Sequence, residues 1–226
     1  MKALQRFFKA LTIASTALLL GLAGCALPEL EENVTAADTD SAEYSPEKAP
    51  DPLTLLQGTW STNCKLMGGL YELWTYSVSG TDATQEFSVY ADASCQTLLV
   101  TRSESHHEIS VGDEMTISFE DSSLADTRGY RFTSRTGGAT ATVNRADLLQ
   151  MFNDESVCGI SWGINVAHDV SGKSCTSTGM GSVNFLPNDQ TGYSNFSFVE
   201  DKLYLGYPRY DGVFKDSVWA RSYKKQ

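Results

Sequence analysis

The sequence predicts an all-β domain: an antiparallel β-barrel with one short helix, preceded by a signal peptide and a disordered tether. Between Leu53 and Gln226, short runs of alternating apolar and polar residues are separated by Gly, Asp, Asn and Ser. Met115, Ile117 and Phe119 alternate with polar residues, which is typical of a strand with one wet face. About a dozen such strands with short turns indicate a closed barrel, because closure removes exposed sheet edges.

The first residues have the pattern of an export signal. Lys2, Arg6 and Lys9 precede an uncharged apolar run, residues 11–22, which is followed by Ala, Gly and Cys25. This segment resembles the leader of bacterial lipoproteins. The resemblance implies that residues 1–24 are removed, that Cys25 is acylated, and that the acyl chains hold the protein stably in a membrane. A retained signal anchor is the alternative, but the apolar run is shorter than the roughly 20 residues that span a bilayer.

The residue after the acylated cysteine and the overall charge bear on location and partners. Ala26 follows Cys25, and by resemblance to Gram-negative lipoproteins this favours the outer membrane over retention in the inner one. Residues 1–24 hold three of the 17 basic residues and none of the 28 acidic ones, so the mature chain carries a net charge of −14. That charge argues against nucleic acid as a partner and leaves the lipid anchor as the expected membrane contact.

Residues 25–52 are predicted to be a disordered, acidic tether. They contain eight acidic residues, one lysine and four prolines. So few apolar groups cannot offset the entropy lost on ordering. The barrel domain is therefore assigned to residues 53–226.

Four cysteines remain once Cys25 is assigned to lipid: Cys64, Cys95, Cys158 and Cys175. An even number in an exported protein indicates two disulfides, although three pairings are possible. We favour the sequential pairs Cys64–Cys95 and Cys158–Cys175, because each links segments only a few strands apart. Zinc binding is the alternative, but the paired C-x-x-C spacing of zinc sites is missing.

The pattern of apolar residues predicts the individual elements. A helical turn is expected at 53–57, after Asp51 and Pro52, and a helix at 145–152, with Asn144 as its cap. Strands are predicted at 58–63, 71–79, 85–90, 97–103, 108–111, 115–119, 129–134, 139–144, 160–168, 182–186, 193–199, 202–206 and 217–223. Gly137 and Gly138 are predicted to form a hairpin turn.

The start of the first strand carries a family resemblance. Gly58 and Trp60, behind the helical turn, resemble the G-x-W that opens the first strand of lipocalins and other calycins. The resemblance implies a lipocalin-like barrel in which an arginine of the last strand, here Arg221, packs across Trp60 and seals one end. Two features depart from the family: the helix lies in the middle of the chain, and more than eight strands are predicted.

Aromatic residues on the predicted strands are the candidates for ligand binding. Trp74 and Tyr76 share one face of their strand, and Trp162 and His168 share one face of the strand predicted at 160–168. Together they would give a barrel cavity apolar walls and one polar group. The alternatives are that the aromatic side chains are core residues and that His168 reaches solvent at the strand end.

Motifs for catalysis and metal binding are missing. His106 and His107 are adjacent, so on a strand they would face opposite sides, and a solvated turn is expected there. We find no nucleophile elbow, zinc-protease helix or phosphate loop, and expect neither catalytic residues, metal nor cofactor.

These observations predict a lipid-anchored envelope protein without enzymatic activity that binds a small apolar ligand. Two alternatives remain. One is an adhesion or protein-interaction module that uses loops such as 207–214, with unknown protein partners. The other is an envelope hydrolase that uses two of the many carboxylates.

Overall fold

The computed structural model describes residues 50–120, 124–178, 181–219 and 221–226 of the 226-residue chain. The expected signal peptide, the acylated Cys25 and the tether as far as residue 49 lie outside the described residues. These three expectations therefore stay predictions.

Eight strands form a closed antiparallel barrel. The described residues contain two α-helices and thirteen strands: α1 (Pro52–Leu56), β1 (Gly58–Ser61), β2 (Lys65–Met67), β3 (Leu70–Ser79), β4 (Asp82–Tyr90), β5 (Leu98–Glu120), β6 (Thr127–Val143), α2 (Ala146–Asp154), β7 (Ala167–Asp169), β8 (Ser174–Ser177), β9 (Gly181–Asn184), β10 (Thr191–Val199), β11 (Lys202–Leu205), β12 (Ser217–Trp219) and β13 (Ser222–Lys225). The barrel order is β1-β3-β4-β5-β6-β10-β11-β13, and β13 pairs with β1 to close it. The predicted fold class is confirmed.

Helix α1 packs at the end of the barrel where β3 turns into β4. Asp51 caps the helix by accepting a hydrogen bond from the Leu53 amide (3.1 Å), as its sequence predicts. Trp60 Nε1 donates to the carbonyl oxygen of Leu56 (2.8 Å), and both side chains are buried. Gly58 has φ +108°, and a Cβ there would lie 3.1 Å from Lys225 Cε, so glycine suits this position on both counts.

Strands β5 and β6 are longer than the sequence pattern indicates. Three predicted strands merge into β5, and two merge into β6. Register shifts between Ser105 and His106, and again between Val111 and Glu114, absorb the breaks in alternation. Gly137 and Gly138, predicted to form a hairpin turn, lie inside β6. The prediction of a turn there is wrong, because the extra residue is accommodated as an irregularity of the ladder.

The segment between β6 and β10 forms a second hydrophobic core with α2. This core includes Val143, Phe152, Trp162, Val170 and Cys175. The predicted helix is confirmed within two residues at each end, although its N-cap position is occupied by the residue after Asn144.

The strand predicted at 160–168 is wrong, since only Ala167–Asp169 forms strand structure there. Asn153 provides the reason: its side chain accepts from the Trp162 amide (2.7 Å) and donates to the Trp162 carbonyl oxygen (3.2 Å). These bonds occupy backbone groups that a sheet ladder would need.

Both disulfides have the expected sequential pairing. Cys64 joins Cys95, with their Cα atoms 6.0 Å apart, and Cys158 joins Cys175, with theirs 4.2 Å apart. The first links the segments that precede β2 and β5, and the second ties the turn after α2 to β8.

The last predicted strand, at 217–223, is two strands. β12 runs parallel to β5 outside the barrel order, whereas β13 completes the barrel. Buried Asn195 on β10 holds the preceding loop, because its side-chain amide donates to the carbonyl oxygens of Lys215 (2.5 Å) and Ser217 (3.3 Å).

Candidate functional site

The barrel encloses a cavity of about 550 Å³. Seven of the eight barrel strands contribute inward-facing side chains, and β9 and the loop after β11 also border it. The barrel residues that line it are Trp74, Tyr76, Gln85, Arg102, Glu104, His106, Phe132, Ser134, Ser194, Leu205 and Tyr223. The remaining lining residues are Ser182, Val183, Asn184, Leu186, Gly206, Tyr207, Pro208, Tyr210 and Arg221.

Three ionisable residues of β5 face this cavity. Arg102, Glu104 and His106 occupy alternate positions, so the pleat of the strand points them the same way. Arg102 Nε lies 3.4 Å from Glu104 Oε1, and each side chain is about a quarter exposed. Sequence reasoning missed Arg102 and Glu104, because every residue from 102 to 106 is polar and no alternation marks the inner face.

The guanidinium of Arg102 is surrounded by aromatic rings. Its carbon lies 5.4 Å from the centroid of Phe87, and 5.7 Å from the centroids of both Trp74 and Phe185. Such contacts stabilise a partly desolvated cation. They also fix the position of the charge at one wall of the cavity.

Arg221 brings a second cation to the same wall. Its guanidinium carbon lies 4.6 Å from the Trp74 centroid. The predicted contact between Arg221 and Trp60 is wrong, because Lys225 Nζ is the cation over Trp60, at 5.3 Å. The pairing of β13 with β1 explains this: Lys225 lies directly opposite Trp60, four residues beyond Arg221.

Two tyrosines of the cavity lining, Tyr76 and Tyr223, have raised pKa values. Burial raises the pKa of Tyr223 to about 12, although the nearby Arg221 opposes the shift. Burial also raises the pKa of Tyr76, and the neighbouring Tyr223 adds to that effect. Both hydroxyl groups are therefore protonated at neutral pH and available as hydrogen-bond donors.

His106 is buried in the cavity wall, with only 7% of its surface exposed. The solvated turn expected for His106 and His107 is wrong, since both lie in β5. Burial lowers the pKa of His106, and Glu104 opposes this shift only in part. The imidazole is therefore neutral at neutral pH, with Nδ1 3.5 Å from Ser134 Oγ. His107 points the other way, where its Nε2 lies 3.8 Å from Asp189.

Tyr210 borders the cavity from the loop after β11. Its pKa is raised by burial and, to a lesser degree, by Glu104 and Tyr207. Both burial and the charge of Glu104 therefore favour the neutral hydroxyl. Tyr207, on the same loop, is 54% exposed although it also borders the cavity.

The structure separates the four candidates for ligand binding. Trp74 and Tyr76 line the cavity, but Trp162 and His168 lie in and beside the second core. Trp162 Nε1 donates to the Val157 carbonyl oxygen (2.9 Å), and His168 Nε2 accepts from the Gly163 amide (3.1 Å). The expectation that His168 faces the cavity is wrong, because its ring packs against the Trp162 ring at a centroid distance of 5.1 Å.

A second pocket of about 290 Å³ adjoins the first. The two share Trp74 and Arg221, so this stacked pair forms the wall between them. Cys64, Lys65 and Glu72 lie on the outer side of that wall.

The described residues of the cavity lining include few acid–base groups. Glu104 is the one carboxylate among the described residues of the cavity lining, and it lies beside Arg102. The 3.5 Å between His106 and Ser134 is at the outer limit for a hydrogen bond. Within residues 50–120, 124–178, 181–219 and 221–226, no three His, Cys, Asp or Glu residues are placed to hold a metal ion.

Comparisons with known proteins do not assign this chain to a family: no family model and no curated protein matches it. In the part of the chain that the structure describes, no helix has the length and apolar character needed to cross a membrane.

Proposed function

We propose that this protein is a non-catalytic binding protein of the bacterial envelope, anchored by lipid on Cys25, and that it holds a small molecule in its barrel. The observation that carries the proposal is the cavity of about 550 Å³, which lies within the range of small-molecule sites, about 300–1,000 Å³. Trp74, Tyr76 and Phe132 supply apolar walls. A ligand with an apolar body fits these walls, and the polar groups of β5 and β13 would orient it.

The proposed location in the envelope is supported by the sequence of the leader and by the two disulfides. Cys25 follows an apolar run with a basic start, as in lipoprotein leaders, and two disulfides suit an oxidising compartment. We expect Cys25→Ser to abolish incorporation of labelled palmitate in the native host. Equal labelling of the variant and the wild type would contradict the anchor and leave the cavity proposal untouched.

A cavity-filling variant tests the binding proposal. Leu205→Trp should add bulk to the cavity wall, whereas Leu73→Trp makes the same change on the opposite face of β3 from Trp74. The probe is N-phenyl-1-naphthylamine, a neutral dye that becomes fluorescent in apolar surroundings. We expect the wild type and Leu73→Trp to bind it alike, and Leu205→Trp to bind about ten-fold more weakly, the equivalent of about 1.4 kcal/mol.

Two results would overturn the proposal: no dye binding by the folded wild type, or equal binding by both tryptophan variants. Circular dichroism would establish that each variant is folded.

The loop at 207–214 favours protein interaction as a second candidate function. Tyr207 and Val213 are 54% and 52% exposed, which is high for residues of their size and apolarity. Val213 does not line the cavity, so Val213→Ser would leave dye binding intact if this part of the loop serves only a protein partner.

A further inference from the structure

The formal charges of the residues that line the cavity do not balance. Two guanidinium groups, Arg102 and Arg221, face one carboxylate, Glu104, among the described lining residues. Glu104 lies beside Arg102, with Nε and Oε1 3.4 Å apart. His106 adds no charge at neutral pH, because burial lowers its pKa. The lining therefore carries one more positive than negative charge.

This surplus runs against the composition of the chain, which has 28 acidic and 17 basic residues. Residues drawn at random from such a chain would bring more carboxylates than cationic groups to the lining of a cavity. Holding cations in a partly desolvated space costs free energy unless they meet opposite charge or aromatic faces. Here both cations meet the ring of Trp74, at 4.6 Å for Arg221 and 5.7 Å for Arg102.

The groups around Arg221 suit recognition of an anion. Tyr223 lies two residues further along the chain and also lines the cavity, and its phenol is protonated at neutral pH and can donate a hydrogen bond. The Arg221 guanidinium offers N–H donors and the Tyr223 phenol offers an O–H donor. Neither group carries a negative charge that would repel an anion. On the same cavity, Tyr76 and Phe132 present apolar surface for the rest of a ligand.

We infer that the ligand of this cavity is an organic anion: one negatively charged group held at Arg221 and Tyr223, and an apolar body of one or two rings against Tyr76 and Phe132. The inference rests on the proposed binding function and narrows it from apolar compounds in general. An anionic group would complement the charge of this wall, whereas a neutral ligand would use only its apolar surface.

Two dyes with the same aromatic body separate the charge from the apolar contact. The sulfonate 8-anilinonaphthalene-1-sulfonate and the neutral N-phenyl-1-naphthylamine differ only in the anionic group. With the full mature chain, we expect the sulfonate to bind at least about ten-fold more tightly, because charge-assisted hydrogen bonds contribute on that scale.

Substitutions test whether the preference for the sulfonate dye arises in the cavity. Arg221→Met should weaken sulfonate binding by about ten-fold and change binding of the neutral dye less than about two-fold. Arg145→Met is the matched control. It removes the same charge from an exposed arginine that directly precedes α2 and pairs with Asp147 in the first turn of that helix. It should leave the affinities of both dyes unchanged.

Glu104→Gln gives a test in the opposite direction that does not depend on loss of function. Removing the carboxylate should tighten sulfonate binding several-fold and leave the affinity for the neutral dye unchanged. Failure of the wild type to bind either dye would overturn the proposed function itself. Binding of both dyes with equal affinity, unaltered by Arg221→Met and Glu104→Gln, would preserve the function and overturn the inference about charge.

Discussion

The guanidinium carbon of Arg221 lies 4.6 Å from the centroid of the Trp74 ring, inside the barrel wall, while Lys225 covers Trp60 at the barrel end. In the lipocalin-type arrangement expected from the sequence, an arginine would take the position that Lys225 occupies here. Lys225 at the end of β13 thus covers the buried end of the barrel, whereas Arg221, directly before β13, borders the cavity.

A double-mutant cycle should locate the partner of Arg221. We expect Trp74→Leu and Arg221→Met to be coupled by about 0.5–2 kcal/mol in the free energy of unfolding, because the two side chains are in contact. Trp60→Ala should cost about 3–5 kcal/mol by itself, since its side chain is buried, and should add to the effect of Arg221→Met. Denaturant unfolding with intact disulfides measures both cycles. Coupling of Arg221 to Trp60 instead of Trp74 would contradict the stack.

Gly129 on β6 is expected to tolerate no side chain. A Cβ at this position would collide with Ile117 Cδ1 and with the carbonyl oxygen of Phe196, and Ile117 is fully buried. Gly129→Ala should therefore destabilise the barrel by about 1–3 kcal/mol, measured by urea unfolding.

Gly112 on the neighbouring strand is the control for that substitution. A Cβ added at Gly112 would have its nearest neighbouring atom 3.9 Å away, so Gly112→Ala should change the free energy of unfolding by less than about 0.5 kcal/mol. Equal effects of the two substitutions would show that backbone entropy, and not the collision, governs Gly129.

His106 should make stability depend on pH in the acidic range. Because burial lowers its pKa in the folded state, the native protein binds fewer protons than the unfolded chain below about pH 6.5. The contribution of His106 to the free energy of unfolding is therefore fully present above that pH and decreases as the solution becomes more acidic. Urea unfolding between pH 8 and 5 should show a smaller decline for His106→Gln than for the wild type.

His107→Gln is the matched control for the pH series, since His107 lies on the other side of the strand near Asp189. It should retain most of the decline of the wild type, because burial is the main cause that lowers the pKa of His106 and the charge of His107 is a minor one. An unchanged decline in His106→Gln would assign the acid sensitivity to other groups.

Each disulfide should stabilise the fold by an amount that increases with the logarithm of the length of the loop that it closes. The sequence separations are 31 residues for Cys64–Cys95 and 17 for Cys158–Cys175. The loop-entropy relation gives about 3.5 and about 3 kcal/mol, respectively. Replacing each pair with serine and measuring unfolding tests these values, and peptide mapping without reductant checks the pairing. A link between Cys64 and Cys158 would contradict it.

Local patterns sufficed for the barrel but not for the lengths of its strands. The turn before Trp60, the alternating strands and the helix after Val143 all follow from periodicity and capping residues. Gly137 and Gly138 misled the prediction, because glycine pairs serve both hairpin turns and ladder irregularities. Trp162 lies in a segment with the alternation of a strand, but bonds to the Asn153 side chain hold its backbone outside the sheet.

The cavity could not be predicted from local sequence patterns, because it depends on how the strands pair around the barrel. Trp74 and Tyr76 could be identified as candidates, since bulky aromatic side chains on one face of a strand indicate a core or a ligand wall. Arg102 and Glu104 could not, because charged residues on a strand more often face solvent. Their inward direction becomes evident only once β5 is paired with β4 and β6.

The seam between β1 and β13 bears on the order in which the chain is made. Trp60 pairs with Lys225, Ser61 pairs with Lys224, and the Gln226 amide donates to the Thr59 carbonyl oxygen at 2.9 Å. A chain emerging N-terminus first therefore keeps one side of β1 unpaired until residues 222–226 arrive. Until then, that open edge is a template for strand addition from another chain.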